Sequence, residues 1–282
     1  MYQLARPAPL LAHYIEHYWS VFATEEAPLD LRVDVFVDAR ADLVFNFGAP
    51  YTRAVSGEPG RLLQASNLDA QRTRPIRIEQ RGAVAITGVR FHSAGLAPFF
   101  PGPLARWTDR VVPIDEALGP SALALECALR TAGPDLAEKA RILDGYFAAR
   151  LSLTPGVEAL LQLKSRIEAA GGLVRMDELC ELSHTSIRQL DRLFRRHLGL
   201  SPKAFARVVR FQRALSLLRT DPGCTLAAVA ATCGYYDQPH FVREFKAYAG
   251  AVPRAQVGYF PAGAPDDFGS NLVQFLQDPL LK

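Results

Sequence analysis

Two kinds of hydrophobic spacing divide this chain of 282 residues. Up to about residue 90, short runs of β-branched and aromatic residues alternate with turn formers. The runs Tyr18 to Ala23, Leu31 to Val37, Leu43 to Phe47, Arg61 to Ala65, Ile76 to Gln80 and Ala83 to Val89 read as strands. Gly48, Pro50, Gly57, Pro59, Gly60, Pro75 and Gly82 punctuate them. Strands of this length at this spacing predict a small barrel or sandwich. From about Ala94 the period becomes helical. A short piece before Pro101 is followed by Ser121 to Thr131 and by Pro134 to Arg150, where Leu136, Ala140, Leu143 and Phe147 make an apolar stripe. The stripe is suited to packing on the barrel or on the same helix of a second subunit. Thr154, Pro155 and Gly156 mark a boundary.

Beyond that boundary the pattern repeats one arrangement twice. In the second copy Leu226, Val229 and Ala230 recur at helical spacing, and Gly234 supplies the positive φ that closes a helix. Tyr235 and Tyr236 fill a turn and Asp237 is an N-cap. Phe241, Phe245 and Tyr248 then share one helix face, opposite Gln238, His240, Arg243 and Lys246. The first copy runs from a short helix, Asp177 to Leu182, through a turn, Ser183 to Thr185, to an N-cap at Ser186. Leu190, Phe194 and Leu198 line one face of the helix that follows; Arg188, Arg192, Arg195 and Arg196 occupy the others, and Gly199 closes it. Between the copies Pro202 opens a longer helix at a first-turn position, with Phe205, Val208, Val209, Phe211, Leu215 and Leu218 apolar. Short helix, tight turn and cationic second helix make up a helix-turn-helix, and a tandem is far more specific than one copy.

Charge follows the same division. Residues 1 to 154 hold 16 Lys/Arg against 17 Asp/Glu, residues 155 to 260 hold 15 against 9, and residues 261 to 282 hold 1 against 3. The basic excess therefore coincides with the paired motifs, as counterion release from phosphates requires. Cys127, Cys180, Cys224 and Cys233 show no CxxC pairing and suit a reducing compartment, with Cys180 and Cys233 as small core residues. No signal peptide and no apolar run near the ~18 residues of a membrane span are evident, so a cytoplasmic protein with no membrane partner is expected.

On the residues Leu190, Phe194, Gly199, Pro202, Phe205, Arg210 and Ala214, then Ala230, Gly234, Tyr235, Asp237, Phe241, Arg243, Phe245, Lys246, Gly250 and Pro253, the stretch from about Thr154 to Gly258 resembles the two-motif DNA-binding domain of AraC/XylS-family transcriptional regulators. His184 in a turn slot that is usually small, Pro239 where a hydroxyl or amide is common, and Val257 where an arginine often follows depart from that pattern. The resemblance implies an α+β fold of two domains: residues 1–153 as a cupin-like β-barrel with following helices for effector binding and dimerisation, and residues 154–260 as an all-α domain with two helix-turn-helix motifs joined by a linker helix. Residues 261–282 form a tail, in which Leu272, Val273, Phe275 and Leu276 cluster. It also implies double-stranded DNA as partner, a small-molecule effector, a homodimer, contact with RNA polymerase, and activation as the commoner direction.

Carried over by aligning Leu190 with Phe241, the family's pattern gives Arg188, Asp191 and Arg192, then Gln238, His240, Val242 and Arg243, as base readers. Asp191 could equally orient Arg188 or Arg195 on its own helix. Arg195, Arg196, Lys203 and Lys246 fit phosphate contacts, and His197 fits a cap. Two further readings are a constitutive DNA binder whose barrel only dimerises and an enzyme fused to a DNA-binding unit. The second needs a reactive-cysteine cluster or an HxH set. Neither occurs among His13, His17, His92, His184, His197 and His240, no nucleotide fingerprint is present, and neither cofactor nor metal is expected. His13 and His17, four apart, would share a face if Ala12 to Trp19 were helical, and otherwise read as surface histidines. Trp19, Phe45, Asn46, Phe47, Arg90, Phe91 and His92 are the candidate ligand residues, with Arg90 placed against a cavity.

Overall fold

Alternation along the strands sets the architecture of the first half. The computed structural model describes residues 2–253 apart from Pro59 and Pro222, so Val257 and the expected tail cluster lie outside the described residues. The strands are β1 (Tyr2–Ala5), β2 (Ile15–Ala23), β3 (Leu29–Val35), β4 (Ala41–Asn46), β5 (Tyr51–Val55), β6 (Leu62–Gln64), β7 (Asn67–Asp69), β8 (Ile76–Gly82), β9 (Val84–Phe91) and β10 (Val111–Pro113). They pair antiparallel in two sheets, ordered β1-β2-β9-β4-β7-β10 and β3-β8-β5-β6. Among the described residues no ladder joins the two sheets, so the expected barrel is seen as a two-sheet unit.

Side chains on β4 and β9 divide by parity. Leu43, Phe45, Val89 and Phe91 belong to a cluster on one face, and Val44, Val84 and Ile86 to one on the other. The first face is covered by helices. A 3-10 turn at Leu104–Trp107 precedes α1 (Ile114–Leu118), a second at Gly119–Ser121 leads into α2 (Ala122–Thr131), and α3 (Leu136–Ala148) follows. Leu136, Ala140, Leu143 and Phe147 are all buried there, with the Phe147 ring 5.5 Å from that of Phe91 and 5.0 Å from that of Phe99. The apolar stripe of α3 is thus spent within the chain. The short helix expected just before Pro101 is not formed, since residues 93–99 are turns. Ala12 to Trp19 is not helical either. His13 is exposed, but His17 lies in β2 and is buried, contrary to its reading as a surface histidine. A glycine is required at Gly88, the cross-strand partner of Trp19, because a Cβ there would sit 2.0 Å from the indole.

The second half is helical: α4 (Pro155–Ala169), α5 (Met176–Ser183), α6 (Ile187–His197), α7 (Pro202–Thr220), α8 (Leu226–Thr232) and α9 (Gln238–Ala249). No helix among the described residues is long and apolar enough to cross a membrane. Phe194, Phe205, Phe211, Phe241 and Phe245 fill its core, and the same apolar cluster continues into Leu31, Val33, Phe36, Val37 and Ile76 of the strand half. Two main-chain groups of Val37 reinforce the junction. Its N–H donates to Tyr248 O at 3.1 Å, and its carbonyl accepts from Gln212 Nε2 at 2.6 Å. At the other motif Thr108 Oγ1 donates to Gly199 O at 2.7 Å.

Helices α7 and α9 are bolted by Glu244, whose side chain is 1% exposed. It accepts from Arg207 Nε at 2.7 Å and from Arg210 Nη2 at 2.8 Å. Removing the carboxylate leaves Arg210 unpaired in a low-dielectric site, so Glu244→Ala should cost about 3 kcal/mol. Arg207→Ala, at a half-exposed position, should cost less than about 1 kcal/mol. Chemical-denaturation midpoints of the two variants check the difference.

Candidate nucleic-acid interface

Each motif is shaped by its caps. Helix α5 ends at His184, which takes φ 50°, a left-handed conformation that histidine tolerates better than most residues, and Thr185 N donates back to Cys180 O at 3.0 Å. Helix α6 begins with a capping box. Gln189 N donates to Ser186 Oγ at 3.3 Å while Ser186 N donates to Gln189 Oε1 at 2.9 Å. In the second motif Thr225 caps α8, Gly234 takes φ 67° as expected, and His240 N donates to Asp237 Oδ1 at 2.7 Å. Tyr235 is buried in the turn, with its ring 5.1 Å from that of Phe241 and 5.4 Å edge-on from that of His240. The turn and cap residues His184, Ser186, Gly234, Tyr235 and Asp237 together fix the angle at which α6 and α9 leave their turns.

Burying Leu190 and Phe194 in α6, and Phe241, Phe245 and Tyr248 in α9, turns the remaining faces outward. Arg188, Arg192, Arg195, Arg196 and Lys203 are exposed, as are Gln238, Arg243 and Lys246. Among the described residues Arg188, Arg192, Arg243 and Lys246 have no ion-pair partner. Asp191 does: its Oδ2 accepts from Arg195 Nε at 2.7 Å, one turn away. Val242 is half-buried against the core and His240 half-buried beside Tyr235. His197 is half-buried, and burial followed by the neighbouring Arg196 charge lowers its pKa below the ordinary histidine value.

The expected ligand residues do not meet in one place. Between the sheets lies a cavity of about 110 Å³, walled by Val21, Leu31, Val33, Val44, Val84 and Ile86, and of the expected set only Trp19 and Arg90 reach it. Phe45 and Phe91 point to the helix-covered face, Phe47 lies under Arg130 and Lys139, and Asn46 is spent on a turn, accepting from Gly48 N at 3.0 Å. His92 Nδ1 is 3.8 Å from Glu16. Arg90 joins a buried ionic chain missed in the sequence. It pairs with Asp38 and, at 2.7 Å, with Asp42; Arg72 bridges Asp38 and Asp69, and Asp69 also accepts from Arg53 at 3.2 Å. Burial disfavours ionisation of Asp38, but Arg90 and Arg72 outweigh it and hold that carboxyl below the usual range; for Asp42 burial wins and the pKa is raised.

Residues 179–256 match a family described as a helix-turn-helix domain, and residues 3–113 match a domain of unknown function, DUF6597. The regulator GbdR of Pseudomonas aeruginosa is 35% identical over 92 residues, which are 33% of this chain and 25% of that protein. The transcriptional activator RhaR of Pectobacterium atrosepticum is 36% identical over 81 residues, 29% of this chain and 28% of that protein. A solved probable AraC family regulator from Rhodopseudomonas palustris CGA009 is 32% identical, covering 36% of this chain and 95% of its own, with a TM-score of 0.34. The helical part is an AraC/XylS-family DNA-binding domain. The chain spans about a quarter of the length of the curated relatives it matches.

Within this AraC/XylS-type domain Glu244 was the residue hidden from sequence reading. Its signal was a carboxylate on the apolar stripe between Phe241 and Tyr248, a position that burial leaves tolerable only with a cation opposite. Asp191 carries a different consequence. Because it is tied to Arg195, Asp191→Ala should raise affinity for all duplexes about two- to fivefold at low salt without altering base preference. Fluorescence-anisotropy titrations on unrelated duplexes check this.

Proposed function

We propose that the protein is a sequence-specific DNA-binding transcriptional regulator in which α6 and α9 enter successive major grooves, ~34 Å apart on one face of the duplex. One observation carries the reading: both helices are capped at their N-termini, buried on one face, and present arginines without counter-ions on the other. Arg188, Arg192, Gln238 and Arg243 read base edges, the arginines suited to guanine and the glutamine to adenine. His240 and Val242, half-buried, reach bases only along the groove-facing side of α9. Arg195, Arg196, Lys203 and Lys246 hold phosphates and set the register.

Residues 1–153 serve as the sensing and dimerising unit and residues 154–260 as the reading unit. A small-molecule effector acts through the strand half, and its signal reaches the reading unit across the Val37 junction, where Asp38 of the ionic chain is the next residue. The regulator works in the cytoplasm as a homodimer, without enzymatic chemistry, and activates transcription by contact with RNA polymerase. Support for a non-enzymatic regulator comes from relatives named as transcriptional regulators and activators.

The test is a titration of matched and singly mismatched duplexes at several salt concentrations, on sites selected by the full chain. Arg192→Ala and Arg243→Ala should each remove about 1–3 kcal/mol of discrimination at one base pair. Lys246→Ala should weaken matched and mismatched duplexes alike and lower the salt slope by about one. Equal losses on both duplexes for Arg243→Ala would remove it from the readers, and absence of salt-dependent binding to any duplex would overturn the function.

A further inference from the structure

The apolar stripe of α6 runs off the core at its first turn. Leu190 and Phe194 are fully buried, whereas Ile187, next on the same stripe, is 65% exposed. A lone exposed aliphatic residue needs no explanation, but Ile187 is not placed at random. It is the first residue of α6, directly after the Ser186 cap, and shares its surface with the unpaired cations Arg188 and Arg192. Counting back three residues from Leu190 and from Phe241 puts Ile187 at the position held by Gln238 in α9. Gln238 too is the first residue of its helix, is exposed, and follows the Asp237 cap. The two motifs therefore offer the same site with opposite chemistry, amide in one and branched alkyl in the other.

Recognition helices meet the major groove with their N-terminal residues. There the one apolar group that a base edge presents is the thymine 5-methyl, and aliphatic side chains pack on it. Duplex DNA meets both demands of this surface, its phosphates neutralising Arg188 and Arg192 while a thymine edge offers a methyl to Ile187. Resting on the DNA-reading function above, we infer that Ile187 is a specificity residue that selects a thymine in the half-site read by α6, adjacent to the base contacted by Arg188.

Deoxyuridine isolates the methyl, since it pairs as thymine does and lacks only that group. Duplexes selected by the full chain from a randomised pool are synthesised with each thymine of the α6 half-site replaced singly by deoxyuridine. One replacement should weaken the wild-type protein about three- to tenfold, the effect of removing one buried methyl. The variant Ile187→Ala should lose that difference at the same position while keeping the salt slope and, because the side chain is exposed, the thermal midpoint. A half-site without a selected thymine, no sensitive thymine in the wild type, or undiminished sensitivity in Ile187→Ala would each overturn the assignment. Failure of the pool to yield any bound duplex would instead overturn DNA reading itself.

Discussion

Two reading helices can specify one extended site only if they are held at a fixed separation, and here that constraint falls on α7. Its buried side, from Phe205 to Leu218, is shared with both motifs, and the Glu244 carboxylate ties it to α9 through Arg207 and Arg210. Each charge-assisted bond is stronger for lying at a site almost closed to water. Hydrophobic packing alone would fill the space between α7 and α9; the ion pair adds direction, because a carboxylate meeting two guanidiniums has few acceptable geometries. A single buried acidic residue thus orients α9 on α7, the helix that α6 also packs against, in a domain whose outward charge is basic.

The strand half uses buried charge in a different way. Arg53, Asp69, Arg72, Asp38, Arg90 and Asp42 form a chain beside an apolar cavity, and every member has its charge met by a neighbour. Removing Asp69 would strand Arg53, and removing Arg90 would strand Asp42, in a low-dielectric site, while Asp38 and Arg72 each bridge two partners, so the chain ties together β4, β5, β7, β9 and the segment after β3. That segment carries Val37, whose main chain is bonded to α7 and α9. The cavity wall and helices α7 and α9 are consequently joined through two adjacent residues, Val37 and Asp38, and one apolar cluster runs across the two halves.

Legibility in the sequence tracked how local each determinant is. Caps and closing glycines act within four residues, so Ser186, Asp237, Gly199 and Gly234 stood out before any tertiary information, and the helices they bound fell where periodicity put them. Strands β1, β5, β7 and β10 did not stand out. They are short, and the pairing that defines them is with residues distant in the chain, such as Val111 with Asp69. The candidate ligand residues are dispersed for a simpler physical reason: consecutive residues such as Phe45, Asn46 and Phe47, or Arg90 and Phe91, cannot line one cavity when a strand sends neighbours to opposite faces. Asp191 and Glu244 show the limit of motif transfer, since their roles are set by the side chains opposite them.

The central claim is that one subunit presents two groove-reading helices at a spacing fixed by α7. Hydroxyl-radical footprinting of the full chain on a selected duplex measures this directly. Two protected patches on the same face of the duplex, separated by about one helical turn, or ~10 base pairs, are predicted. A single patch, or two patches on opposite faces, would contradict it.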